Sequence, residues 1–208
     1  MNLKILIALA AAILGLSSAP AMAADFSFVG TLPTANTPLL FNFSVGSSST
    51  VTLRTYSYAG GTNAAGTVIA RGGFDPILAL FDSTGALINQ NDDGGSLVPA
   101  DSVTGAHYDT YLQSLLAPGN YTVSVMAYSN FAVGPNLSNG FTNTGSFVDF
   151  TGNQRDSHWA FDILNVGAAT LVRGAVPEPA TWMMMLVGFG VVGASLRFTR
   201  RKSEFAAA

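Results

Sequence analysis

Cysteine is absent from all 208 residues. The fold must therefore stand without disulfides, and thiol catalysis and thiolate metal sites are excluded. Between residues 24 and 176 there is also no lysine and no glutamate. That stretch holds ten aspartates against four arginines (Arg54, Arg71, Arg155 and Arg173), a net charge of −6. An acidic, lysine-free domain is a poor partner for nucleic acid. Several catalytic signatures are missing too. No His-Glu-x-x-His, no Gly-x-Ser-x-Gly elbow and no pair of glutamates occurs. Between the two ends no amphipathic pattern of a dozen residues argues for a helix.

What is present begins at the termini. Met1 to Ala23 has the build of a secretory signal: Lys4 in the n-region, an apolar run from Ile5 to Leu16, and small residues at Ala21 and Ala23 for cleavage after Ala23. At the other end, Val176-Pro177-Glu178-Pro179 leads into 17 uncharged residues, Ala180 to Leu196. As a helix these reach about 26 Å, close to the roughly 30 Å of a hydrocarbon core. Trp182 suits the outer interface. Arg197, Arg200, Arg201 and Lys202 orient the segment with its C-terminus cytoplasmic. The expected organisation is a signal peptide (1–23), an ectodomain (24–175) and a sorting tail (176–202) with a transmembrane helix (180–196) and a basic end (197–202). Gly188-Phe-Gly-Val-Val-Gly193 has the spacing of a dinucleotide fingerprint but sits inside the apolar run with no preceding strand, so it reads as small residues for helix packing.

Pro177-Glu178-Pro179, an apolar segment and a basic terminus, in that order, resemble the PEP-CTERM sorting signal of exopolysaccharide-producing Gram-negative bacteria. The resemblance implies an exosortase as partner, a membrane enzyme that would cut near Pro177–Pro179. Catalysis would then belong to that enzyme, with this chain as its substrate.

The ectodomain, about 150 residues, suffices for one hydrophobic core. Phe41, Phe43 and Val45 alternate with Asn42 and Ser44; Val51 and Leu53 with Thr50, Thr52 and Arg54. The same period of two runs through Tyr121–Tyr128 and Trp159–Ile163. Asp82-Ser-Thr-Gly85 separates two apolar runs, Ile77–Phe81 and Ala86–Gln90, and predicts a hairpin. Pro118-Gly119-Asn120 predicts a turn into the Tyr121 strand. The expected fold is all-β, a sandwich of eight or nine short strands. Two stretches, Tyr58–Gly73 and Asn130–Gly145, read as long loops, and long loops of this kind are functional or disordered.

Phe74 to Gly95, with its Asn91-Asp92-Asp93 end, and Leu116 to Val125, with its Pro-Gly turn, resemble the bacterial pre-peptidase C-terminal domain. Leu53–Asn63 and Gly134–Ser138 resemble PEP-CTERM proteins of no established activity. These resemblances imply a jelly-roll-like β-sandwich acting as an accessory, targeting or matrix module. The protease that usually accompanies a pre-peptidase domain is absent from this sequence.

Candidate chemistry is sparse. Asn89, Asn91, Asp92 and Asp93 cluster before Gly94-Gly95, with Asp75, Asp82 and Asp101 not far away. Their oxygens are the type that calcium takes, and they are equally ordinary turn residues. His107 and His158 are the only histidines. Tyr56, Tyr58, Tyr108, Tyr111, Tyr128, Phe131 and Phe141 fall in or near loops; beside Asn and Asp they suit either packing or stacking on a sugar. The expectation is a non-enzymatic exported protein without a firm cofactor, calcium being the candidate. It would pass from an inner-membrane-anchored intermediate to the cell surface or matrix, and its work would be linked to exopolysaccharide and biofilm. The alternatives are a calcium- or carbohydrate-binding module and a hydrolase with an unrecognised site.

Overall fold

The computed structural model describes residues 23–172. The signal segment, except Ala23, and the whole sorting tail lie outside the described residues, including Ala21, Pro177, Glu178, Pro179, Arg197, Arg200, Arg201 and Lys202.

Eleven strands follow one another: β1 (Ala24–Thr31), β2 (Leu39–Val45), β3 (Ser49–Thr55), β4 (Gly61–Thr62), β5 (Val68–Ile69), β6 (Pro76–Phe81), β7 (Leu87–Asn91), β8 (Tyr111–Leu116), β9 (Gly119–Ala127), β10 (His158–Val166) and β11 (Ala168–Leu171). Among the described residues, helix is limited to two single 3₁₀ turns, Gly95–Leu97 and Leu137–Asn139. A four-stranded sheet runs β1-β10-β3-β8 and a five-stranded sheet runs β11-β2-β9-β6-β7, while β4 and β5 form a small ribbon. Every pairing between these strands is antiparallel.

The two sheets share one core, so the all-β sandwich reading holds. Leu53, Phe161 and Ile163 from one sheet meet Phe41, Leu80, Val123 and Val125 from the other. Phe41 is central: its ring lies 5.7 Å from that of Trp159, edge-on, and 5.1 Å from that of Phe161. Edge-on and tilted contacts suit the ring quadrupoles. The alternation predicted for β2 is realised, with Phe41, Phe43 and Val45 buried and Asn42 exposed.

β6 departs from simple alternation, because all six of its residues are buried. Its second face, with Met126 of β9, forms a separate apolar cluster of Ile77, Ala79, Phe81 and Met126. Tyr128, Phe131, Leu137 and Phe141 cover that cluster. The Asn130–Gly145 stretch is therefore a packed cover on the outer face of the five-stranded sheet. The Tyr58–Gly73 stretch contains the β4–β5 ribbon.

Candidate functional site

The hairpin β6–β7 explains how a site arises at one end of the sandwich. Its register sets Leu78 opposite Asn91. The residue before β6, Asp75, and the residues after β7, Asp92 and Asp93, are thereby brought to the same end. β9 pairs with β6 up to Pro76 opposite Ala127, which carries Tyr128 to that end as well. The Tyr128 amide donates to the Asp75 carbonyl at 2.8 Å. The Thr110 hydroxyl donates to the Asp92 carbonyl at 2.9 Å, and the Gly94 amide donates to the Asp109 carbonyl at 2.8 Å. Backbone contacts thus fix both sides of a cavity of about 300 Å³ lined by Asp75, Asp92, Asp93, Tyr108, Tyr128 and Phe150.

Asp75 is 4% exposed, and its Oδ1 has no hydrogen-bond partner. Burial pushes its carboxyl up to about 9, and the neighbouring Asp93 and Asp92 add to the rise. Burial, then Asp92, also raises Asp93. Tyr108 is raised by burial and by the Asp75 and Asp93 carboxylates. The lining therefore gathers three acidic groups, and burial keeps Asp75 in its neutral, protonated form near neutral pH. Among the described residues, no three acidic or imidazole side chains already converge on one point as metal ligands.

The four candidate ligands divide. Asp92 and Asp93 line the cavity. Asn89 and Asn91 belong to β7 itself. The Asn89 Oδ1 accepts from the Gln90 amide at 2.8 Å, and the Asn91 Nδ2 donates to the Tyr111 carbonyl at 2.9 Å. Asp82 closes the hairpin at its opposite end, its Oδ1 accepting from Thr84 and Ala86. The Thr84 hydroxyl and the Ala86 amide hold its carboxyl below the usual range. Asp101 is committed to Arg71 at 2.7 Å and to Arg155 at 3.5 Å.

His107 Nδ1 meets the Val98 carbonyl at 2.8 Å. His158 is held between Asp156 and the Ala70 carbonyl. Of the singled-out aromatics, Tyr56 and Tyr58 are buried, and Tyr128, Phe131 and Phe141 pack on the second cluster. Tyr108 and Tyr128 also border the cavity, and Phe150, 77% exposed, stands at its rim. Sequence reasoning gave Asp75 a minor part. The signal that raises it is its place directly before a fully apolar strand whose hairpin partner ends in Asp92-Asp93.

A second, shallower cleft of about 520 Å³ crosses β2, β9 and β11. Asn42, Ser44, Asn120, Thr122 and Thr170 supply amides and hydroxyls there, while the Tyr121 ring packs toward the core on the other face of β9. That ring is stacked on Phe43 at 5.5 Å.

No curated protein and no solved structure matches the chain. Residues 175–202 match the model of the PEP-CTERM protein-sorting motif, which implies exosortase-dependent sorting of an exported protein that passes through the membrane before the cell surface.

Proposed function

We propose that this chain is a non-enzymatic surface or extracellular-matrix protein, delivered by its sorting tail and working in contact with exopolysaccharide in a biofilm. The observation that carries the reading is the sorting motif at residues 175–202. The start of β1 at Ala24 supports it, because cleavage after Ala23 would leave the first strand intact. The strand order supports a jelly-roll-like module. Strands from the first and second halves of the chain alternate throughout the four-stranded sheet and from β11 to β6 in the five-stranded one, and β1 and β2 belong to opposite sheets. The likeness to the pre-peptidase domain enters as a reading of that fold.

Contact with polysaccharide is assigned to the cleft over β2, β9 and β11. Its amides and hydroxyls, from Asn42, Ser44, Asn120, Thr122 and Thr170, suit sugar hydroxyls. The membrane segment 180–196 serves as a temporary anchor, with Arg197–Lys202 on the cytoplasmic side. The histidines take structural roles in this reading.

Mass spectrometry of the mature protein, isolated from the native host and from a strain lacking exosortase, tests the proposal. Loss of residues 1–23 in both strains, and loss of the tail beyond the Pro177–Pro179 region in the native host alone, is the expected result. A native-host protein that keeps residues 180–208 refutes it.

A further inference from the structure

We propose that the cavity between Asp75, Asp92 and Asp93 is a binding site for a divalent cation of the calcium class. This inference is independent of how the chain is sorted.

The first ground is Asp75 itself. A carboxyl group that is 4% exposed and lacks a partner for Oδ1 is costly unless something satisfies it. It is not an isolated misfit, because it lines a cavity that two further carboxylates also line. The second ground is the whereabouts of the protein's own cations. Residues 23–172 contain three arginines and no lysine. Arg71 and Arg155 pair with Asp101, and the Arg54 guanidinium lies over the Tyr56 ring at 4.8 Å. None of them lines this cavity.

The third ground is fit. Calcium takes six to eight oxygens in flexible geometry, whereas magnesium demands a tight octahedron. Three carboxylates supply up to six oxygens, and a cavity of about 300 Å³ leaves room for water to complete the shell. Asp75 is the fixed wall, held through its carbonyl by the Tyr128 amide. Asp92 is fixed through its carbonyl by Thr110 and lines the cavity. Asp93 is exposed and precedes Gly94-Gly95, so it is free to swing inward. Binding draws Asp92 and Asp93 onto Asp75 and converts three separate carboxylates into one ligand set. Asn89, bonded to the Gln90 amide, and Asn91, bonded to the Tyr111 carbonyl of β8, do not line the cavity and stand outside the proposed ligand set.

The test is calorimetric titration of calcium chloride into the full chain, purified in detergent and freed of metal with a chelator, alongside a melting curve. The expected result is one site per chain with Kd of roughly 10⁻⁴–10⁻³ M, as in extracellular modules, and a rise in Tm. Asp75→Asn, close in shape to the native residue, should weaken binding more than tenfold and leave the metal-free Tm unchanged or higher. Asp93→Asn, at an exposed position, should weaken binding whether or not the Asp75 variant folds. Asp156→Asn, outside the cavity, should bind like the wild type. Terbium provides the location: Tyr108 and Tyr128 should sensitise its emission, calcium should quench that emission by competition, and Tyr108→Phe should lower it without changing calcium affinity. Absence of saturable heat in the wild type, or wild-type affinity in both Asp75→Asn and Asp93→Asn, overturns the proposal.

Discussion

The Arg155 guanidinium sits over the ring of Tyr58, its central carbon 3.6 Å from the centroid, and donates to the carbonyl of the same residue at 2.6 Å. It also donates to the Gly73 carbonyl at 3.1 Å and faces Asp101. The Tyr58 hydroxyl in turn donates to Asp149 at 2.7 Å. One buried cation thus ties together the Tyr58–Gly73 stretch, the Asp101 loop and the segment entering β10.

Arg155→Met keeps much of the side-chain bulk but strands the Gly73 carbonyl, leaves the Tyr58 carbonyl with the Gly72 amide alone, and removes a counter-charge from Asp101. We expect a loss of about 3 kcal/mol in urea unfolding. Arg155→Lys should recover less than half of it, because an ammonium can neither stack flat nor donate in a planar fork. Wild-type stability in Arg155→Met would show that the network is ornamental.

Acid should weaken the fold through the same network. Burial works to raise Asp101 and Asp149, but the opposing contacts win. Arg71 and the Thr104 and Val103 amides hold Asp101 well below the usual carboxylate range, and Tyr58 with Asn153 and Thr151 holds Asp149 at about 2. For groups lowered on folding, the stabilisation is complete above the unfolded value near pH 4 and is lost as pH falls through the folded value. Urea unfolding should therefore be flat from about pH 5 upward for these two groups and fall between about pH 4 and 2. Asp149→Asn should remove a share on the order of 2 kcal/mol from that fall.

Gly30 pairs with Trp159 across β1 and β10, and a Cβ at Gly30 would stand 2.7 Å from the indole ring. Gly30→Val should cost roughly 1–3 kcal/mol by overpacking. Near-ultraviolet circular dichroism should report the displaced Trp159. An unchanged spectrum and melting curve would mean that the strand shifts freely.

Glu178→Ala should block tail processing while leaving the apolar run and the basic end untouched. Fractionation and immunoblotting in the native host should then find the protein with the membranes and at its unprocessed mass. Normal maturation of this variant would place recognition elsewhere in the tail.

Much of this architecture was legible where one physical signal dominated. Period-two alternation found β2, β3, β9 and β10, and the Asp82–Gly85 turn found the β6–β7 hairpin. β1 and β11 went unread, since both mix exposed and half-buried residues and lack a clean apolar face. Tertiary placement hid more. Nothing local says that the Asn130–Gly145 stretch covers a second apolar face, although the unbroken apolar run of β6 implies that something must. At the cavity, Asp92 and Asp93 stood out by their cluster. Asp75 joins them only through strand register, and Asn89 and Asn91 drop out because β7 extends through them. The Asp101–Arg155 pair was out of reach, as the partners lie 54 positions apart.

β11 has a mechanical consequence. It is a four-residue edge strand, paired only to β2, with Leu171 opposite Phe41 as its final rung. Tension applied to the chain beyond Leu171 loads that rung before any other in the domain. Because its side chains are exposed or half-buried, β11 can peel away while the fully buried strand β6 stays shut. Four freed residues add up to about 14 Å of slack. A domain pulled by a surface tether or by a processing enzyme would thus yield at a weak outer seam, acting as a mechanical fuse that spares the core.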